Sequence, residues 1–295
     1  MYFNDSTVVF SNGEYVKAKD LMVSPYNQTM HYGNGAFEGI RSYDTPDGTR
    51  IFKAKEHYER LKYSCEKMYI PLDYTLDDLE QITYKVLEKN NLKDAYIRPL
   101  VYLDPNMSLT ATNGSTLIIM AWEWGNYLGN EQLRVMTSSF QRPNPKSCHV
   151  EAKITGHYTN SILATQEAKQ KGFDEALLTD MSGHVAEGPG ANFFYEMKGE
   201  LYTCPKGNIL PGITRQTIFE IAKELQVSVH EKWFTVEDVY TADTAFFCGT
   251  AAEVVGIKSL DEKVFPLNWE DSVSMLIQRK YKLRVASNEF KGMYI

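Results

Sequence analysis

Residues 151–193 limit what this chain can build. The stretch opens with Glu151-Ala152-Lys153-Ile154-Thr155-Gly156-His157-Tyr158 and closes with Val185-Ala186-Glu187-Gly188-Pro189-Gly190-Ala191-Asn192-Phe193. The opening sets one lysine beside a glycine and a tyrosine. The close puts a carboxylate in a glycine-rich turn ahead of an apolar strand. Between them, 160–170 reads as a helix, with Asn160 as its cap, and 175–179 as a strand. The plain reading of any single lysine is a solvated surface group. A lysine held in such a turn is also a candidate Schiff-base nucleophile. A distant acid able to face a heterocyclic nitrogen is the complementary half of a pyridoxal phosphate site. The remainder of the chain decides between these readings.

At 295 residues, the length fits two domains or one large one. Apolar residues at 43% and charged residues at 23% are ordinary for a globular protein with a sizeable core. A formal net charge of −7 disfavours nonspecific nucleic-acid binding. Residues 1–20 lack a basic start followed by an apolar core, and no run is apolar enough to span a membrane. Cys65, Cys148, Cys204 and Cys248 are far apart and form no metal-like pairs, so no metal and a reduced, cytoplasmic setting are expected.

Along the chain, Asn12-Gly13 marks a turn between two short strands. Three glycines in 33–39 require tight backbone, with Tyr32 and Phe37 placed to line a pocket. A helix is expected over 56–69, where Tyr58, Leu61 and Cys65 recur at helical spacing, and Arg60 sits at the edge of that apolar face. A second, over 75–90, takes Thr75 as its cap. Strands are expected at 95–103 and 116–124. Arg98 interrupts the first, and a charge inside an apolar strand needs either an ion-pair partner or a carboxylate ligand. Pro211-Gly212 leads sharply to Thr214, the expected cap of the next helix, whose amides suit phosphate. Ala245-Phe246-Phe247 runs into the small-residue cluster Gly249-Thr250-Ala251-Ala252. The final helix is expected over 269–283. Dinucleotide, Walker, HExxH, CxxC and nucleophile-elbow patterns are all missing from the sequence.

Taken together, the blocks HYGNGAFEGIR at 31–41, HYERL at 57–61, YIRPL at 96–100, the lysine segment at 151–161, EGPGANFF at 187–194, LPGITR at 210–215 and GTAAEV at 249–254 resemble those of the class IV, fold-type IV pyridoxal-phosphate aminotransferases. The branched-chain amino-acid aminotransferases are the most similar, over roughly 5–285. The resemblance implies that Lys153 is the catalytic Schiff-base lysine, Tyr158 contacts the cofactor's phenolic oxygen, and Glu187 faces the pyridine nitrogen. It implies that Arg60, Ile213, Thr214 and Thr250 hold the phosphate. Tyr32, Phe37, Gly39, Tyr96, Arg98, Trp124, Tyr127, Thr250 and Ala251 correspond to substrate-pocket positions. One departure is His157, which stands where asparagine is usual.

The fold implied is α/β (α+β), two-domain and D-amino-acid-aminotransferase-like: a small domain over 1–124, a connector over 125–137 and a large domain over 138–295. The activity implied is reversible amino transfer from L-leucine, L-isoleucine or L-valine to 2-oxoglutarate, with pyridoxal 5′-phosphate as cofactor and a homodimer or dimer-based hexamer as the assembly. A D-amino-acid aminotransferase and an aminodeoxychorismate lyase share the fold, and a non-catalytic sensor that binds the cofactor is the alternative of another class.

Overall fold

The computed structural model describes residues 2–110, 114–124 and 132–286. Tyr127 and most of the expected connector lie outside them. Two compact units emerge. One contains 2–110, 114–124 and the later segment 152–157; the other contains 132–151 and 158–285.

The first unit is an antiparallel sheet backed by two helices. Its strands are β1 (Val8–Ser11), β2 (Glu14–Lys17), β3 (Gly35–Phe37), β4 (Ile40–Thr45), β5 (Gly48–Ile51), β6 (Ala95–Leu103) and β7 (Ser115–Glu123). They run in the order β2-β1-β7-β6-β4-β5, with β3 paired to β6. Asn12 and Gly13 both have positive φ, at 48° and 104°, as a two-residue hairpin turn demands. A short helix, α1 (Gln28–Tyr32), precedes β3 and is capped by Asn27, whose side chain accepts from the Met30 amide. The two longer helices are α2 (Ala54–Lys67) and α3 (Leu76–Lys89). α2 begins two residues earlier than its apolar spacing indicates, from Lys53 in the left-handed region. At α3 the cap is as expected, and Thr75 and Asp78 form a reciprocal capping box. Tyr58, Leu61 and Cys65 of α2 and Leu79, Val86 and Leu87 of α3 share one buried cluster with Ile97, Val101 and Ile119 of the sheet. Ala152 and Ile154, on either side of Lys153, belong to that same cluster.

The second unit is built on β8 (Leu133–Gln141), β9 (Glu175–Thr179), β10 (Val185–Glu187), β11 (Asn192–Met197), β12 (Glu200–Thr203), β13 (Val229–Glu231), β14 (Thr244–Gly249), β15 (Glu253–Leu260) and β16 (Lys263–Val264). Their order is β10-β9-β8-β15-β14-β11-β12-β13. β10 also pairs with β11, which closes six of the strands into a barrel. The residues opposed at that closure are Glu187 and Asn192. Phe193, Tyr195, Phe234 and Phe247 lie among the buried side chains of this unit's core.

Helices α4 (Tyr158–Gln170) and α5 (Ile213–Glu224) belong to this unit. α4 starts ahead of Asn160, whose amide instead donates to the Gln141 carbonyl at 2.8 Å. α5 is capped by Gly212, so Thr214 lies inside the first turn and is not the cap. The last helix begins at Val273, after a 3₁₀ turn over Trp269–Asp271. Among the described residues, no helix is long and apolar enough to cross a membrane, and no group of His, Cys, Asp and Glu is arranged to hold a metal.

Candidate active site

In the first unit, Lys153 is held by its own backbone. Its N–H donates to Ser64 Oγ of α2 at 2.9 Å, and its carbonyl accepts from the Phe37 N–H at 3.0 Å. Ala36 and Ile154 form an antiparallel bridge alongside. Further on, the Gly33 carbonyl accepts from the Gly156 N–H at 2.9 Å and from Thr155 Oγ1 at 2.6 Å. Gly33 has φ +71°, and a Cβ there would lie 2.6 Å from Gly156 Cα. Two blocks distant in sequence therefore meet backbone to backbone, which only glycines permit. The Lys153 ammonium lies 5.0 Å from the centre of the Phe37 ring.

Arg60 projects from α2 onto Glu38, a fully buried acid just after β3. Arg60 Nε donates to Oε1 at 2.6 Å and Nη2 to Oε2 at 2.9 Å. His57 Nδ1 lies 2.8 Å from Oε2, and the Gly39 N–H donates to the same oxygen at 3.2 Å. Burial opposes the charge on Glu38, but Arg60 and His57 outweigh it and hold the carboxyl far below the usual range. Burial pushes the His57 imidazole downward, against the pull of Glu38, and its Nδ1 faces the carboxylate as a donor.

Of the other expected residues in this unit, Phe37 and Tyr96 are buried, and Arg98 is half-buried between them. The Arg98 guanidinium stacks at 4.7 Å on Phe37 and 5.4 Å on Tyr96, and Nη2 donates to Tyr96 Oη at 3.3 Å. Among the described residues, no carboxylate pairs with Arg98, and its Nε is buried without an acceptor. Gly39 is required by Tyr96, because a Cβ would fall 1.9 Å from the phenol oxygen. Trp124 stacks on Tyr96 at 4.6 Å. Tyr32 is half-exposed and donates to the Met107 carbonyl at 3.3 Å.

In the second unit, Glu187 is buried at the barrel closure. Asn192 Nδ2 donates to Oε2 at 2.8 Å, and the Leu210 N–H donates to Oε1 at 3.1 Å. Arg142 Nε lies 2.9 Å from Oε1, close enough for an ion pair but off the line of a hydrogen bond. Asn192 Nδ2 also donates to the Leu210 carbonyl at 2.9 Å. A Cβ on Gly212 would meet Asn192 Oδ1 at 1.9 Å. No side chain caps α5, so its first turn, with Ile213 and the buried Thr214, presents amides suited to an anion. Thr250 and Ala251 form the turn between β14 and β15. Next to them, a Cβ on Gly249 would lie 3.2 Å from the Gly190 carbonyl, so this turn packs on the loop after Glu187. Tyr158 is the first residue of α4.

Comparison with known proteins decides the family. The model of amino-transferase class IV matches residues 35–260. The branched-chain-amino-acid aminotransferase of Pseudomonas aeruginosa is 41% identical over 280 residues, covering 93% of this chain and 91% of that protein. The chain belongs to the branched-chain aminotransferases of class IV. Among solved structures, the branched-chain aminotransferase of Thermoproteus uzoniensis with norvaline superposes with a TM-score of 0.92 at 36% identity, covering 97% of each chain. The branched-chain amino acid aminotransferase of Thermobaculum terrenum, in its pyridoxal-phosphate holo-form, gives 0.89 at 29% identity, covering 96% of this chain and 94% of that one. The fold is thus fold-type IV, two-domain α/β with a barrel-like sheet.

Four residues of this aminotransferase escape sequence reasoning: Glu38, His57, Arg142 and Asn192. Glu38, His57 and Asn192 lie inside the blocks that carry the resemblance, and their local sequence does not point to the buried partners they find. Arg142 sits in a proline-flanked loop that looks irregular and solvated. Its partner is 45 positions away and is reached only once β8, β9 and β10 lie side by side.

Proposed function

We propose that the chain transfers amino groups reversibly between L-leucine, L-isoleucine or L-valine and 2-oxoglutarate, giving the branched 2-oxo acid and L-glutamate, with pyridoxal 5′-phosphate as cofactor. The observation that carries this reading is the double role of Asn192. It bonds the buried Glu187 carboxylate and the Leu210 carbonyl just ahead of α5. An acid for a ring nitrogen and a helix start for a phosphate are thereby built as one rigid piece. The residues present fit the cofactor: a lysine clamped by its backbone, a buried anion and an uncapped helix start.

When bound, the cofactor supplies an aldehyde for exchange with the substrate amine and a ring that delocalises the electrons left by the α-proton. Lys153 Nζ takes that proton and returns it, and the pinned backbone limits how far the amine wanders. Glu187 faces the ring nitrogen, with Arg142 and Asn192 holding its carboxylate in place. Arg60, Ile213, Thr214 and Thr250 bind the phosphate, and Tyr158 donates to the phenolic oxygen. Phe37, Tyr96 and Trp124 offer apolar surface to a branched side chain. Arg98 offers its guanidinium to the second carboxylate of glutamate, and Tyr32, Gly39, Tyr127, Thr250 and Ala251 complete the substrate contacts.

The same reading gives a cytoplasmic homodimer or dimer-based hexamer with functional domains at 1–124 and 138–295. Exposed Tyr26, Met30, Tyr32, Met107 and Leu109 on the first unit support association. The four free cysteines suit a reducing compartment. The test is steady-state transfer with separate L- and D-amino-acid panels against 2-oxoglutarate. Turnover of L-leucine, L-isoleucine and L-valine is expected; strong activity with D-alanine and none with L-leucine would overturn the assignment.

A further inference from the structure

We propose that Glu38 and His57 are positioning residues that fix the plane of the Arg60 guanidinium for the cofactor phosphate. This rests on the reading of Arg60 as a phosphate ligand. Glu38 has no exposure and accepts from four donors, two on Arg60, one on His57 and one on the Gly39 backbone. A buried ion pair is a poor source of stability, because desolvation offsets most of the attraction. Its physical use is orientation. The planar fork of Arg60 is gripped along its Nε–Nη2 edge, which removes the rotamer freedom a solvated arginine would lose on binding a phosphate. His57 lies one helical turn before Arg60 on α2, and its imidazole grips the same carboxylate. It thereby fixes the acid from a second side, as a carboxylate fixes a metal-bound histidine. Lys153 Nζ sits on the Phe37 ring, directly before Glu38 in the chain, so the acid and the reactive lysine share one support.

The test separates phosphate recognition from the rest of the cofactor. Full-length protein is stripped of cofactor and refilled with either pyridoxal 5′-phosphate or pyridoxal, and both dissociation constants are measured for wild type, Arg60→Lys, Glu38→Gln and His57→Phe. Arg60→Lys reports on the underlying reading: if it leaves the ratio of the two constants unchanged, Arg60 is not a phosphate ligand and the proposal falls with it. If Arg60→Lys lowers the preference for the phosphorylated form, Glu38→Gln is expected to lower it about tenfold, the scale of one disturbed charge-assisted hydrogen bond. Pyridoxal affinity should stay near wild type. His57→Phe keeps the ion pair and an aromatic ring while removing the second grip on the carboxylate, so it serves where Glu38→Gln fails to fold; a severalfold fall in the same ratio is expected. An unchanged ratio in a folded Glu38→Gln or His57→Phe protein, beside an Arg60→Lys that loses it, overturns the positioning role.

Discussion

Arg142 and Glu187 form an ion pair at 2.9 Å in which both side chains are almost fully buried. The barrel makes this pairing. The Arg142 N–H donates to the Thr179 carbonyl at the end of β9, and Glu187 lies opposite Leu178 on the other side of that strand. Neither charge can be removed without stranding the other. Arg142→Met should therefore cost about 3–5 kcal/mol of stability, the range for breaking one side of a buried pair. Urea unfolding gives this directly. Glu187→Gln should lose stability on a similar scale, because Arg142 is left without its counter-charge. It should also slow the amino-transfer half-reaction, measured in a single turnover, by about a hundredfold. A Glu187→Gln protein as stable and as fast as wild type would remove Glu187 from both roles.

Lys153 is predicted to carry the cofactor covalently. Borohydride reduction followed by peptide mass mapping should place the reduced adduct on Lys153, and Lys153→Ala should bind cofactor reversibly while turnover nearly vanishes. An adduct on a different lysine, or normal turnover by the alanine variant, would transfer the assignment elsewhere. The clamp around it has its own test. Gly33→Ala puts a methyl 2.6 Å from Gly156 Cα at a left-handed φ. The backbone cost alone is about 1–2 kcal/mol, and displacement of the lysine segment should lower turnover further. An alanine variant with wild-type kinetics would show that the glycine contact does not position Lys153.

What could be read from the sequence follows a physical boundary. Asn12-Gly13 and the Thr75–Asp78 capping box were legible because a few adjacent residues determine them. Asn160 and Thr214 do not cap their helices, because tertiary packing sets other starts: Gly212 is forced by its contact with Asn192, and Asn160 finds the Gln141 carbonyl instead. Lys153 and Glu187 stood out through their glycine-rich settings. The residues that hold them did not, since Ser64 meets Lys153 only once α2 packs beside the lysine segment, and Arg142 and Asn192 meet Glu187 only through strand order and barrel closure.

His57 should leave a mark on acid stability. Its folded-state pKa is depressed, mainly by burial, so below about 6.5 the unfolded chain binds the proton more readily than the native one. Stability from this group is thus complete above that pH and falls as pH drops through the window beneath it. Glu38 acts at lower pH still: against burial, Arg60 and His57 depress its carboxyl, so its contribution is lost progressively as pH falls below the ordinary carboxylate range. Urea midpoints from pH 7 to pH 5 should decline in wild type with a slope containing up to one proton from His57, about 1.4 kcal/mol per pH unit. His57→Phe should flatten that slope even though its overall stability is lower. Parallel pH profiles for the two proteins would mean that folding does not depress the His57 pKa.

Arg98 gives the sharpest test of substrate class. A strand arginine usually answers to a carboxylate, yet among the described residues Arg98 has none. It is held instead by the faces of Phe37 and Tyr96 and by the Tyr96 hydroxyl. Such stacking orients a guanidinium without neutralising it, and the pocket has to accept both an uncharged branched side chain and the second carboxylate of glutamate. Leucine would be read by apolar burial worth roughly 1–3 kcal/mol, which Arg98 hardly affects. Glutamate and 2-oxoglutarate would be read by charge-assisted bonds worth about 1.5–3 kcal/mol. Arg98→Met should therefore weaken the glutamate and 2-oxoglutarate half-reactions by about ten- to a hundredfold while leaving the leucine half-reaction within a few-fold of wild type. Matched pre-steady-state measurements of each half-reaction separate donor from acceptor. Equal losses for all three substrates would mean that Arg98 supports the strand and the aromatic stack, and that the second carboxylate is recognised by other groups.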